Sequence, residues 1–172
     1  MIIRILEEND AKAYQELRLK ALQTNPEAFG STYEQELNYS AEQVAQRISS
    51  TNTKFTLGAF IEDKLIAIVT FIRDGNLKTA HKGNIYGMYV SSEHRGMGVG
   101  KRLLKELIVF AGKLEGLEQM NLTVVSDNIA AKKLYEELGF TIFGTEKRAL
   151  KYSGVYYDED LMVLEFNNLR GG

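Results

Sequence analysis

The chain contains no cysteine and no tryptophan, and it has one proline and two histidines among its 172 residues. Without cysteine it forms no disulfide, binds no metal through thiolate and has no cysteine nucleophile. Only His81 and His94 offer imidazole ligands, which argues against a histidine-rich metal site. The absence of cysteine is also compatible with a reducing cytoplasm. We therefore expect a cytoplasmic protein that requires no metal.

The chain also lacks a strong net charge and a long apolar run. Its formal net charge is −2, which gives no broad attraction to nucleic acids or anionic membranes. No apolar run approaches the roughly 18 residues that a membrane helix needs, and the N-terminus turns acidic after Leu6, unlike a signal peptide. We expect one globular domain over residues 1–172, with neither nucleic acid nor membrane as a partner.

The hydrophobic pattern predicts a strand, two helices, antiparallel strands, a strand–helix–strand–helix unit and closing strands. This order is typical of an α/β or α+β domain with one parallel crossover in its second half. The predicted strands cover 2–6, 55–61, 65–72, 84–90, 121–125, 140–143 and 161–166. The predicted helices begin after Asn9 or Asp10, after Ser40, near Gly98, and after Asp127 or Asn128.

A glycine-rich loop, Arg95–Lys101, lies between a predicted strand and a long predicted helix. Its three glycines, at alternate positions, allow the backbone to approach a ligand closely. The unpaired N–H groups at the start of the following helix, together with the helix dipole, form an anion site. The loop therefore predicts a phosphate or pyrophosphate cradle. A tight turn that holds no ligand is the alternative.

The glycine spacing separates this loop from two common nucleotide loops. In the Walker A pattern a Ser or Thr follows the lysine and binds Mg²⁺. Here Arg102 takes that place, and Gly96 is one residue too close to Gly100. The dinucleotide pattern Gly-x-Gly-x-x-Gly fails as well, because Gly96 and Gly98 are followed by no glycine at position 101.

What fits the loop is the pattern Arg-x-x-Gly-x-Gly, formed by Arg95, Gly98 and Gly100. Segment 87–100, GMYVSSEHRGMGVG, resembles the acetyl-CoA motif of the GNAT superfamily of N-acetyltransferases. Segment 122–140, LTVVSDNIAAKKLYEELGF, resembles the next motif of that family. The chain is thus similar to the GNAT enzymes, without assignment to a subfamily. The resemblance implies a single α/β (α+β) domain with a central mixed, mostly antiparallel sheet, about four flanking helices, and splayed strands at the acetyl-CoA site.

The resemblance also implies which residues bind acetyl-CoA. Backbone amides of the loop would hold the pyrophosphate, and the strand before it would pair with the pantetheine arm. A backbone N–H near Met88 would polarise the thioester carbonyl, as in an oxyanion hole. The implied cofactor contacts are Met88, Tyr89, Val90, Arg95, Gly96, Met97, Gly98, Val99, Gly100, Lys101, Asn128 and Tyr135.

Two of these residues have a second interpretation. Asn128 matches the family's cofactor-binding Asn, and it also suits the N-cap of a helix. Tyr135 matches the family's general acid, and its spacing with Ala131 and Leu138 also suits a core aromatic residue. As an acid, a phenol with a pKa near 10 can protonate the departing thiolate. That route requires no covalent intermediate on the enzyme.

The general base and the acceptor site are less well marked. In some peptide-acetylating relatives a Glu five residues before the Asn is the base, and here that position holds Thr123. Glu34 and Glu36 are the candidates, with solvated carboxylates flanking a helix as the alternative. Phe29 and Tyr33 are candidates for the lining of an acceptor pocket.

The predicted function is transfer of an acetyl group from acetyl-CoA to a primary amine, by direct attack through a tetrahedral intermediate. Small amines and peptide N-termini or lysines remain open as acceptors, and dimerisation, common among relatives, is left open too. An acyl-CoA sensor without catalysis on the same fold is the alternative. A phosphate-loop nucleotide enzyme is a third class, which the missing Mg-binding hydroxyl disfavours.

Overall fold

The structure, a computed structural model that describes residues 1–167, contains a seven-stranded sheet. Its strands are β1 (Ile2–Ile5), β2 (Lys54–Ile61), β3 (Lys64–Arg73), β4 (Lys82–Val90), β5 (Gln119–Val125), β6 (Thr141–Tyr152) and β7 (Val155–Glu165). They lie in the order β1-β2-β3-β4-β5-β7-β6, and only the β4–β5 pair is parallel. This confirms the expected mixed, mostly antiparallel sheet.

The α-helices are α1 (Ala11–Thr24), α2 (Tyr33–Leu37), α3 (Ala41–Ile48), α4 (Val99–Gly112) and α5 (Ile129–Glu137). Ser40 caps α3 as predicted, since its side chain accepts a hydrogen bond from the Gln43 N–H at 3.1 Å. Helix α2 was not predicted, because five residues are too few to show a hydrophobic period. Within the described residues no helix is long and apolar enough to cross a membrane.

The helices bury the two faces of the sheet in separate cores. Helices α4 and α5 cover one face, where Leu103, Leu104 and Leu107 pack with Met120 and Met162 of the strands. Helices α1 and α3 cover the other face over β2 and β3; this second core contains Tyr14, Leu17, Ala21, Val44, Ile48, Phe60, Leu65 and Ile68. In the strand order, β4 and β5 lie next to each other near the middle of the sheet, between β3 and β7.

The last two strands extend much further than predicted. The sequence indicated strands at 140–143 and 161–166, whereas β6 and β7 form a long hairpin that turns at Ser153 and Gly154. Most residues of β6 are exposed and polar, so the apolar alternation that marks a strand is missing from its centre. Ser153 and Gly154 both have positive φ. The Ser-Gly pair is the feature of the sequence that could have predicted this hairpin turn.

Candidate active site

The strands β4 and β5 separate partway along their length. They pair only at Lys82–Asn84 against Gln119–Asn121. Beyond these residues β4 stays paired with β3, and β5 stays paired with β7. A wedge therefore opens in the middle of the sheet, and each of its walls is the free backbone edge of a strand.

A β-bulge shapes the β4 wall of this wedge. Tyr86 pairs with Thr70 and Tyr89 pairs with Ile68, so two residues, Gly87 and Met88, oppose one residue of β3. Gly87 has a φ of +60°, a conformation that is costly for a residue with a Cβ. A bulge leaves a residue out of the ladder, so it frees backbone groups at the mouth of the wedge.

The end of β4 is held to α1 by Arg95. Its Nε donates to the Val90 carbonyl at 3.1 Å, and its Nη2 donates to Asn25 Oδ1 at 2.7 Å. The Tyr89 hydroxyl also lies 3.2 Å from Thr24 Oγ1 at the end of α1. In this structure the Arg95 side chain therefore fixes the strand end beside the loop.

The glycine loop leads directly into the first turn of α4. Gly96 and Gly98 have φ values of +75° and +77°, and within residues 1–167 no heavy atom beyond the adjacent residues would lie within 4 Å of a Cβ at either position. Gly100 instead allows close packing of α4, because a Cβ added at this position would lie 3.1 Å from Met88 Cε and 3.4 Å from Leu134 Cδ2. The first amides of α4 have no intrahelical partner, so the loop presents donors at the wedge.

Three other loop residues point in different directions. Val99 is buried in the core against the sheet. Met97 is exposed. Lys101 is partly exposed and forms an ion pair with Glu137 of α5, with Nζ and Oε2 3.2 Å apart. The positive charge of Lys101 is therefore partly neutralised by Glu137 of α5.

Asn128 begins α5 as an N-cap. Its Oδ1 accepts a hydrogen bond from the Ala131 N–H at 3.2 Å, which confirms the capping interpretation. Its contact with a cofactor stays a prediction. The same side-chain oxygen serves the helix, so its amide N–H₂ group is the part available to a ligand.

The start of α5 is tied to the sheet through the buried Asp160 of β7. Its carboxylate accepts bonds from Ser126 Oγ and Thr145 Oγ1, each at 2.8 Å, and lies 2.7 Å from Lys132 Nζ. The bond from Lys132, with those from Thr145 and Ser126, lowers the pKa of Asp160 to about 2. This network fixes α5, and hence Asn128, relative to β5 and β7.

Tyr135 lies on the inner side of α5. Its side chain packs edge-on against Phe140, with ring centroids 5.9 Å apart, and the residue is only 7% exposed. Burial raises the pKa of its phenol to about 12. The hydroxyl therefore keeps its proton at neutral pH, the state that a hydrogen-bond donor or general acid needs.

On the opposite face, the segment between α1 and α2 covers the sheet. Its short turn Pro26–Ala28 contacts β5 and β6. A pocket of about 440 Å³ opens beside it, lined by Leu22, Gln23, Pro26, Ser31, Thr32, Tyr33, Glu34 and Tyr152. Two candidates for the acceptor side, Tyr33 and Glu34, thus share a pocket with a residue from the tip of the long hairpin.

Phe29 lies closer to the bulge than to that pocket. Its ring contacts the guanidinium of Arg18, 4.7 Å from the ring centroid, and lies 6.4 Å from the ring of Tyr89. Arg18 in turn approaches the bulge, because a Cβ on Gly87 would lie 3.4 Å from Arg18 Nη1. Arg18 was not predicted as a functional residue, although its place within the apolar stripe of α1 indicates that it is buried.

Glu36 is not the solvated carboxylate that the sequence suggested as an alternative. It is 1% exposed and forms two 2.9 Å bonds with Arg18 and a 3.1 Å contact with Arg47. Burial alone would raise the pKa of Glu36, but the bonds and charges of Arg18 and Arg47 outweigh it and hold the pKa below its usual value. A carboxylate bound in this way is a poor general base.

Comparison with known proteins gives the family. A family profile described as an acetyltransferase (GNAT) domain matches residues 3–161. The chain belongs to the GNAT acetyltransferase family. The L-amino acid N-acetyltransferase AaaT of Escherichia coli is 26% identical to it, over 95% of this chain and 96% of that protein. The chain is an N-acetyltransferase.

Solved GNAT structures share the fold over nearly the whole chain. A GNAT acetyltransferase of Streptococcus pneumoniae superposes with a TM-score of 0.84 at 27% identity, covering 95% of this chain and 98% of that one. The Salmonella typhimurium protein yncA, solved with its cofactor acetyl-CoA, has a TM-score of 0.78 at 22% identity, covering 96% and 93%. The splayed strands expected from the GNAT resemblance are present as the wedge between β4 and β5.

The loop of this GNAT enzyme provides a test of backbone conformation. Gly98→Ala should raise the KM for acetyl-CoA by about tenfold, because a left-handed residue with a Cβ costs about 1–2 kcal/mol and shifts the amides of the loop. Gly98→Asn is the matched control, since asparagine tolerates this conformation better. Steady-state kinetics at a fixed acceptor concentration measure both variants. Equal KM values for the two would contradict a conformational role, because space alone does not forbid a Cβ there.

Proposed function

We propose that this enzyme transfers the acetyl group of acetyl-CoA to the primary amino group of a small, amino-acid-like acceptor. The observation that carries the proposal is the wedge between β4 and β5, which opens beside the glycine loop on one side and below the α1–α2 segment on the other. A thioester arm in the wedge would meet an acceptor on the face that the α1–α2 segment covers, and the pocket beside Tyr33 and Glu34 is the candidate entrance on that face. The volume of about 440 Å³ suits a small acceptor.

Several named relatives support this acceptor class. AaaT is named for L-amino acids, and acetyltransferases for L-methionine sulfoximine and L-methionine sulfone from Pseudomonas are 33% identical over 85 residues. Other relatives are N-alpha-acetyltransferases, including RimI of Mycobacterium tuberculosis, 38% identical over 71 residues. The common chemical group in these names is an α-amino group, and peptide N-termini are the second acceptor class to test.

The proposed mechanism is direct attack. The lone pair of the neutral amine forms a bond with the acetyl carbon, and the carbonyl electrons move to the oxygen. Backbone N–H groups near Met88 would stabilise that oxyanion. The C–S bond then breaks, and the thiolate takes a proton from Tyr135. The nitrogen loses its extra proton as the amide forms, and that proton restores the Tyr135 phenol through solvent.

Ligand binding and turnover test the proposal in sequence. We expect acetyl-CoA to stabilise the protein against thermal unfolding, by about 2.7 kcal/mol at 100 times its dissociation constant, and ATP with Mg²⁺ to have no effect. A panel of amino acids, polyamines and short peptides, with detection of the released thiol, should then identify acceptors among the amino acids. Binding of acetyl-CoA without turnover of any acceptor would favour an acyl-CoA sensor instead, and turnover of peptides alone would exclude the small-acceptor assignment.

A further inference from the structure

Strand β7 carries three consecutive carboxylates with different surroundings. Asp158 contacts Lys147 at 3.1 Å and accepts the Arg148 N–H at 2.8 Å. Asp160 contacts Lys132 at 2.7 Å. Glu159, between them, forms no ion pair with any residue in the described range 1–167. Partial burial of a carboxylate without an ion-pair partner costs free energy, so such a residue is a candidate for a functional role.

The strand register places Glu159 beside the wedge. Glu159 pairs with Val125, and Leu161 pairs with Thr123, at the end of β5 that no longer contacts β4. Alternation puts Glu159 and Thr123 on one face, because Met162 and Leu164 occupy the opposite face in the core with α4. The face that Glu159 shares is the one that the Pro26–Ala28 turn covers. Glu159 therefore lies on the face of the sheet that the α1–α2 segment covers, on the strand between β5 and β6.

The neighbours of Glu159 suit a carboxylate that takes up a proton. The Thr123 hydroxyl donates a hydrogen bond to it, and Glu146, its cross-strand partner on β6, is a like charge. Burial is the main cause that raises the pKa of Glu159, Glu146 adds to it, and the bond from Thr123 acts against it. A general base improves as its pKa approaches the working pH.

We propose that Glu159 is the general base that removes a proton from the acceptor ammonium. This inference rests on the proposed acetyl transfer. Thr123, at the position where some relatives carry a Glu, orients a carboxylate that the neighbouring strand β7 supplies. The acid and the base then act from opposite faces of the sheet, with Tyr135 on the α5 side and Glu159 on the side of the α1–α2 segment.

The proton balance of the step is complete. The acceptor ammonium transfers one proton to the Glu159 carboxylate, and the nitrogen lone pair becomes free to attack the acetyl carbon. Glu159 later releases that proton to solvent. The sulfur receives its proton from Tyr135, and the second nitrogen proton restores the phenol. Glu159 therefore forms no covalent bond with the substrate.

The test compares Glu159→Gln with Asp158→Asn, which neutralises the adjacent carboxylate on the opposite face of β7. With an aliphatic amino acceptor at neutral pH, Glu159→Gln should lower kcat/KM by about 10²- to 10⁴-fold. Asp158→Asn should stay within about twofold of the wild type, because surface substitutions away from a site have small effects. Retained stabilisation by acetyl-CoA shows that the Glu159 variant is folded.

A second acceptor makes the result specific to proton removal. An acceptor analogue with a lower amine pKa is already neutral at the assay pH, so the defect of Glu159→Gln should shrink severalfold or more with it. The defect should also shrink as pH rises, since hydroxide removes the proton instead. A defect of the same size with both acceptors at every pH would overturn the proposal, as would full activity of Glu159→Gln.

Thr123→Val provides an independent measurement if Glu159→Gln is unstable. Loss of the hydroxyl bond should move the acidic limb of the pH profile of kcat/KM to higher pH, because the bond lowers the pKa of Glu159. An acidic limb that does not move would overturn the role of Glu159. If the wild type itself transfers no acetyl group to any amine, the proposed function fails, which is a separate outcome from a fully active Glu159→Gln enzyme.

Discussion

Tyr135→Phe should lower kcat by about 10²- to 10⁴-fold while leaving the affinity for acetyl-CoA within a few fold of the wild type. The phenol is 7% exposed, and burial holds its pKa at about 12, so it remains a proton donor at every pH at which the enzyme is assayed. Phenylalanine keeps the ring packing against Phe140 and removes only the donor. Single-turnover measurement of thiol release reports the chemical step directly.

Tyr14→Phe is the matched control for this substitution. Tyr14 is a buried tyrosine in the α1 core, and burial raises its pKa as well. It belongs to the core with Leu17 and Ala21, far from the α5 side of the sheet. We expect full activity in this variant. Unchanged turnover in Tyr135→Phe would show that the thiolate leaves without help from the phenol.

Glu36→Gln should cost about 3–5 kcal/mol in the free energy of unfolding, because it leaves the buried guanidinium of Arg18 without its counter-ion. The Arg18–Glu36 pair is bidentate, with side chains 7% and 1% exposed. Chemical denaturation with urea measures the loss, and the slope of the transition should stay unchanged. The melting temperature should fall by roughly 6–20 °C in a chain of this length.

Two further variants test whether the loss of stability comes from the buried charge of Arg18. Glu93→Gln breaks the exposed Lys20–Glu93 pair and should leave the free energy of unfolding close to that of the wild type, because solvent screens exposed ion pairs. Replacing Arg18 and Glu36 together with apolar residues should restore most of the stability, since it removes both charges. A loss below about 1 kcal/mol for Glu36→Gln would mean that water reaches and solvates Arg18.

The sequence was informative where local chemistry determines the structure. Residue type alone predicted Ser40 as a helix cap and offered Asp127 or Asn128 as another, and the structure shows that Ser40 and Asn128 accept the expected N–H groups. The glycine spacing placed the loop before α4, and two of its glycines have positive φ. These features depend on a few adjacent residues, so a pattern along the chain is enough to find them.

Features that depend on contacts between residues far apart in the sequence could not be predicted. The pairing of Glu159 with Val125 joins residues that are far apart in sequence, so no local pattern places Glu159 near Thr123. The centre of β6 carries polar residues on both faces, which removes the alternation that marks a strand. Glu36 looked like a surface residue because its partner Arg18 lies in another helix.

The opening between β4 and β5 divides the sheet into two unequal half-sheets joined at Lys82–Asn84 and Gln119–Asn121. Each half presents an unfilled strand edge in the centre of the molecule, where most proteins have a continuous ladder. An arm that adds its own hydrogen bonds there acts as a missing strand. If acetyl-CoA supplies that strand, we expect the stability of the sheet to rise with the acetyl-CoA concentration, by mass action.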